Sequence, residues 1–130
     1  METMEDRKEQ GRQVYRRMFD DKKLAGLESA IQAEGFGSSM ALLAQEFAFG
    51  SIWARPGLER KLKSVVTISA LITLGRDDEL KKHLTVGLNL GLTPKEIEEI
   101  IIQTIPYIGF PAAGHAMEIA RNILKERGAI

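Results

Sequence analysis

Arg76, Glu79 and His83 stand in the stretch TLGRDDELKKH, residues 73–83, at spacings of i, i+3 and i+7. A helix beginning near Arg76 sets all three along one face. A carboxylate one turn before an imidazole can orient its tautomer and raise its pKa, which makes a proton-transfer pair. An arginine on the same face can dock a carboxylate substrate through its fork of donors. The same spacing also suits an ordinary helical Glu–His pair beside a solvated arginine. In that reading Asp77 or Asp78 caps the helix, and Lys81 and Lys82 are solvated surface.

Other candidates are more scattered. His115, in PAAGHAME, is the second of two histidines and follows a proline and small residues that permit close backbone approach. It suits a pocket or a neighbouring subunit, or a plain packing or surface role. Two histidines outside any compact cluster do not make a metal site, so no metal is expected. Arg55, Arg60 and Lys61 follow the lone Trp53. Basic groups around an aromatic suit an anion, and equally a solvated helix start. Tyr107, between Pro106 and Gly109, places a hydroxyl either at a pocket rim or in the core. There is no cysteine. That excludes disulfides, thiolate metal sites and all cysteine redox or nucleophilic chemistry.

The elements that must position these groups read as helical almost throughout. Val14, Tyr15, Met18 and Phe19 recur at helical spacing within residues 4–19, although Gly11 weakens that helix. A second short helix is expected over 24–33. A third is capped by Ser38 or Ser39, carries Leu42, Leu43, Phe47 and Phe49 on its apolar side, and ends near Gly50. WARPGLERK reads as a turn opening a helix, with Pro56 fixing φ and Glu59 in the first turn. SVVTISALITL (64–74) is apolar nearly all round and reads as a central buried helix. Gly75 ends it, and the next helix runs to about Gly91. Thr93-Pro94-Lys95-Glu96 has the pattern of a capping box with proline at the first helical position. Ile97, Ile100, Ile101 and Ile105 form a core stripe up to Pro106. After the turn YIGFPAAG a last helix carries Met117, Ala120, Ile123 and Leu124 and stops at Gly128. The expectation is one all-α domain, residues 1–130, of six to seven helices. The apolar 64–74 and 97–105 segments and the small residues of PAAGHA point to subunit interfaces and a homo-oligomer.

Composition narrows the partners. The 130 residues are 44% apolar and 28% charged, with 18 basic and 18 acidic side chains, so no single-sign field steers the chain to nucleic acid or acidic lipid. No apolar run is long enough to span a bilayer, and METMEDRKEQ lacks the apolar centre of a signal peptide, so the expected compartment is the cytoplasm.

An ordered series of elements carries a further resemblance. Arg55-Pro56, the apolar helix, Gly75-Arg76-x-x-Glu79-Leu80-x-x-His83, Gly91-Leu92-Thr93-x-x-Glu96-Ile97 and Tyr107-x-Gly109-x-Pro111-Ala112-Ala113 follow one another over 47–120. Together they resemble the carboxymuconolactone decarboxylase family. A second branch of that family, similar to the alkylhydroperoxidase AhpD, works through Cys-x-x-Cys-x-x-x-His. Aligned by its histidine, that motif falls on Arg76, Glu79 and His83, so thiol peroxidase chemistry is impossible here. The resemblance implies an AhpD-like all-helical fold, a ring-like homo-oligomer (trimer or hexamer), and an active site between helices shared across subunits. It also implies cofactor-free conversion of 4-carboxymuconolactone to the β-ketoadipate enol-lactone in aromatic catabolism. In such a reaction His83, oriented by Glu79, supplies or shuttles the proton. Arg76, Arg55 and Lys61 dock the carboxylates or stabilise developing oxyanion charge, with Tyr107 and His115 as further substrate-binding candidates. This chain departs from the family pattern at Gly114, where many relatives carry asparagine, and the N-terminal third shows no match. An isomerase or hydrolase acting on a related small cyclic substrate would use the same pair. An inert helical assembly module is the remaining alternative.

Overall fold

The Thr93 hydroxyl accepts the Glu96 N–H at 3.1 Å while the Glu96 carboxylate accepts the Thr93 N–H at 3.0 Å. The capping box read from the sequence therefore forms, with Pro94 at the first turn where no backbone N–H is needed. A computed structural model describes residues 1–130, in which every regular element is a helix. The chain divides into two compact units, Met1–Glu59 and Arg60–Ile130.

In the first unit α1 spans Met4–Met18, α2 Asp21–Gln32 and α3 Ser38–Leu43, and α3 continues as a π-helical segment, Ala44–Trp53. Asp20, not a residue nearer Leu24, caps α2 through a 2.7 Å bond from the Lys23 N–H, so that helix begins earlier than expected. Gly37, at φ 90°, precedes α3 and takes the capping position expected of a serine. Gly50 does not end the third helix. A Cβ at Gly50 would strike the Arg7 carbonyl, and one at Gly11 would strike the Gln45 carbonyl. The two glycines therefore let α1 and the π-helical segment pack backbone to backbone. At Gly11 this close approach outweighs the low helix propensity of glycine. Phe49 joins Tyr15 edge-on at 4.9 Å, with Tyr15 stacked on Phe19 at 4.5 Å.

In the second unit α4 spans Arg60–Leu74, α5 Asp77–Asn89, α6 Pro94–Ile108 and α7 Phe110–Glu126. Glu59 lies before α4 and not in its first turn. The connections are short: Gly75 and Arg76 after α4, residues 90–93 after α5, and Gly109 alone after α6. Connections this short force consecutive helices antiparallel, giving an up-down-up-down bundle. Two offsets fix its register. Asp77 meets His115 and Asn89 meets Arg127, both pairs 38 residues apart, so α5 and α7 run parallel in register. Lys61 meets Glu96, 35 residues on, and the same offset relates Val65 to Ile100, Ser69 to Thr104 and Thr73 to Ile108, six residues that line one groove. Helices α4 and α6 are therefore parallel too.

The core joins Ile68, Ile72, Leu80, Leu84, Ile97 and Ile101 to Ala113, Ala116, Ile119, Ala120 and Leu124. Ile100 and Ile105 pack against it half-buried. Pro106 does not end α6, which runs on to Ile108. Near a helix end proline forfeits one backbone bond and leaves only a short stretch to be kinked. Gly109, at φ 87°, makes the break. The expected central burial of 64–74 is only partly realised. Ser64, Ile68 and Ile72 are buried, whereas Val66 and Leu74 keep 62 and 71% of their surface exposed, as does Leu62, just before the segment, at 47%.

The packing at Gly11 separates two kinds of glycine. Gly11→Ala is expected to lower stability by about 1–3 kcal/mol, as overpacking does. Gly26→Ala, within α2 where a Cβ meets nothing within 4 Å, is expected to raise it by about 0.5–1 kcal/mol. Urea unfolding of the two variants checks both signs.

Candidate functional site

Of the three reversals in the 60–130 bundle, each with a glycine at positive φ, those at Gly75 (68°) and Gly109 (87°) lie at one end and that at Gly91 (104°) at the other. The end with Gly75 and Gly109 gathers three of the residues read from the sequence. Arg76 is the residue before α5, Tyr107 lies in the last turn of α6, and His115 lies in the second turn of α7. Arg76 adopts φ −90° and ψ 76°, outside the helix, with its N–H on the Leu71 carbonyl at 3.0 Å and its own carbonyl taking the Leu80 N–H at 2.8 Å. The expected stripe of three therefore loses its first member to the connection, leaving its exposed guanidinium at the bundle end.

Asp77 and Asp78 lie inside the first turn and do not occupy the capping position. Both, with Glu79, bring negative charge to the positive end of the helix dipole. Asp77 also does something the sequence did not signal. Its Oδ2 lies 2.7 Å from His115 Nε2. No local pattern marks a pair separated by 38 residues; only the parallel register of α5 and α7 creates it.

Glu79 and His83 sit lower on α5. His83 is roughly 9 Å from the start of the helix by axial rise, half-buried, and its ring feels two opposed influences. Burial lowers its pKa from the ordinary 6.5; the Glu79 charge raises it, and Lys82 lowers it again. Desolvation is the largest of these, so the pKa ends below its ordinary value and not above it as the spacing alone implied. Glu79 divides its attention: its carboxylate lies 3.5 Å from Lys82 Nζ in an exposed pair. At neutral pH His83 is therefore a neutral imidazole, suited to accept or relay a proton.

The remaining candidates separate. Lys61 pairs with Glu96 at 3.2 Å at the opposite end of the bundle, roughly 20 Å along α4 from its last turn. Within one chain it does not join Arg76. Arg55 belongs to the first unit, in the turn after the π-helical segment, where its N–H donates to the Ile52 carbonyl at 3.1 Å. Tyr107 is exposed and lines a groove of about 660 Å³ between α4 and α6, with Val65, Ser69, Thr73, Ile100 and Thr104. No group of three or more His, Cys, Asp or Glu side chains is arranged to hold a metal ion. No helix is long and apolar enough to cross a membrane.

Comparison with known proteins decides the family. The model of the carboxymuconolactone decarboxylase family matches residues 40–122. The chain belongs to that family. It is 36% identical over 124 residues to a 4-carboxymuconolactone decarboxylase of Acinetobacter baylyi, covering 95% of this chain and 91% of the relative. It is 31% identical over 123 residues to a nitrosuccinic acid decarboxylase of Metarhizium robertsii, covering 88% of this chain and 86% of the relative. These relatives support a carboxy-lyase. The family match includes all seven candidate residues, from Arg55 to His115, and reaches further towards the N-terminus than the resemblance read over 47–120.

The environment of His83 has a measurable consequence. Its folded pKa lies below 6.5, so the unfolded chain binds its proton more readily. Its contribution to stability is complete above that value and is lost as pH falls through it. By NMR the His83 ring is expected to titrate with a midpoint below 6.5. The urea midpoint of the wild type is expected to drop between pH 7 and 5 by more than that of His83→Gln.

Proposed function

We propose that this chain is a cofactor-free decarboxylase of a small carboxylated lactone, with 4-carboxymuconolactone as the first candidate substrate. The observation that carries this reading is 36% identity over 95% of the chain to an enzyme of that name. The second relative, a nitrosuccinic acid decarboxylase, favours a related reading. A lactone carbonyl in conjugation and a nitro group share one property: each accepts the electron pair released when a carboxylate leaves as carbon dioxide. A small dicarboxylate with such an electron sink next to its leaving carboxylate is the substrate class common to both. The single 1–130 domain, the cytoplasmic setting and a place in aromatic catabolism belong to the same proposal.

The chemistry then assigns roles. The C–C bond to the leaving carboxylate breaks, its electron pair moves into the sink, and a proton is delivered to carbon. His83 carries that proton, with the Glu79 charge favouring the protonated ring against the desolvation that opposes it. Such acid–base assistance is worth about 10²–10⁴ in rate. Arg76 docks a substrate carboxylate through paired donors, and Tyr107 and His115 add polar contacts at the same end of the bundle. Arg55 is a further anion-docking group, assigned by family resemblance. Lys61 reaches this site only from a neighbouring subunit.

Such a subunit is part of the proposal. Leu62, Val66 and Leu74 form an exposed apolar face on α4, and burying it between copies removes apolar surface from water. The exposed face supports a homo-oligomer, and the family resemblance implies a trimer or hexamer.

Incubation with 4-carboxymuconolactone is expected to release one carbon dioxide per substrate consumed, detected by mass change. His83→Ala is expected to lower kcat/KM by about 10²–10⁴ while the oligomer stays intact. Product of unchanged mass would mark an isomerase, and a gain of water a hydrolase. No turnover of 4-carboxymuconolactone or of nitrosuccinic acid would leave an assembly module. Val66→Glu is expected to shift the assembly to monomer in sedimentation, and an unchanged assembly would remove α4 from the interface.

A further inference from the structure

Asp77 and His115 form a joined carboxylate–imidazole pair whose members come from two different helices. Asp77 opens α5, directly after Arg76, and His115 lies in the second turn of the parallel helix α7. The Oδ2···Nε2 distance is 2.7 Å. We propose that Asp77 is a positioning residue for substrate binding: it holds the His115 ring at the start of α5, next to Arg76 in the chain, so that Nδ1 binds a carboxylate of the substrate.

An ionised carboxylate only accepts hydrogen bonds, so the bond to Asp77 keeps the hydrogen on Nε2 whether the ring is neutral or cationic. That settles the tautomer and leaves Nδ1 to take the second proton, and it is this Nδ1–H that can donate to a ligand carboxylate. The His115 side chain keeps 61% of its surface exposed and that of Asp77 45%, so the ring is open to an incoming molecule. When the ring is cationic, Nδ1–H donates to an anionic oxygen, and Asp77 balances the charge on the far side of the imidazole. Arg76 supplies the second set of donors. In a dicarboxylate one carboxylate leaves and one remains. Arg76 and the Asp77–His115 pair hold the one that remains, and His83 serves the reacting carbon.

A purely structural account of the same pair treats it as a clasp between α5 and α7, as Arg127 and Asn89 provide at the other end with a 3.2 Å bond. The two accounts differ in what they move. A clasp alters stability, whereas a positioning residue alters KM and the state of the His115 ring.

This inference rests on the decarboxylase reading for its kinetic arm and on direct binding for the other. The experiment measures kcat and KM on 4-carboxymuconolactone for wild type, Asp77→Asn and Asp77→Glu. In parallel, nitrogen-15 NMR follows the His115 ring, assigned by His115→Gln, as succinate is added as an unreactive dicarboxylate. Asp77→Asn is expected to raise KM about tenfold with kcat held within about twofold, and Asp77→Glu to recover most of the loss. Succinate is expected to shift Nδ1 of His115 in the wild type and much less in Asp77→Asn. If turnover proceeds but KM stays unchanged in Asp77→Asn and succinate leaves the ring unmoved, the inference is overturned and the decarboxylase stands. If there is no turnover but succinate shifts His115 in an Asp77-dependent way, the decarboxylase reading fails and the inference survives.

Discussion

Two reversals made in one or two residues set the geometry of the C-terminal bundle. Gly75 and Gly109 take backbone conformations that side chains resist, so α4 turns directly into α5 and α6 directly into α7. Because both reversals occur at one end, the start of α5, the end of α6 and the start of α7 are brought together there. Arg76, Asp77, Tyr107 and His115 owe their common location to this constraint and not to any proximity in sequence. The opposite end, with Lys61 on Glu96 and Arg127 on Asn89, holds the register that keeps the reversals aligned.

The electrostatics of α5 shows why spacing and environment must be weighed together. An i,i+4 Glu–His pair in water favours the charged imidazole. Here the ring is half-buried, and the loss of hydration outweighs the charge of a carboxylate that also faces Lys82. A neutral imidazole with a depressed pKa suits proton relay better than static ion pairing. His115 contrasts with it, being exposed and held by one direct bond to a carboxylate. The two histidines of the chain thus sit in opposite environments, which fits two different tasks in one reaction.

Surface exposure on α4 explains how an apolar segment can mislead. SVVTISALITL contains enough apolar residues for burial on every side, yet three neighbours in the bundle cover only part of it. Ile68 and Ile72 face the core, while Val66 and Leu74 face outward. A helix that is apolar all round is expected inside a larger body. A bundle of 71 residues (60 to 130) is too small to supply that body alone, which is why the outer face enters the proposed assembly.

Local chemistry was legible in the sequence. The capping box at Thr93 and Glu96, the breaks at Gly75 and Gly128, the all-helical class and the absence of thiol chemistry depend on residues a few positions apart, or on none being present at all. The ordered motifs from Arg55 to Ala113 also carried the family. Helix ends are less legible: α6 runs through Pro106 to Ile108, and α2 starts from the Asp20 cap and not at Leu24, because a single proline or cap competes with packing along the whole helix. What tertiary structure alone decided is which distant groups meet. Gly11 against the Gln45 carbonyl, Lys61 away from Arg76, the burial that lowers the pKa of His83, and Asp77 against His115 all follow from helix packing and register. Side-chain spacing along one helix fixes neighbours within a turn or two; contacts across 38 residues depend on how the chain reverses, and that is settled only when the core closes.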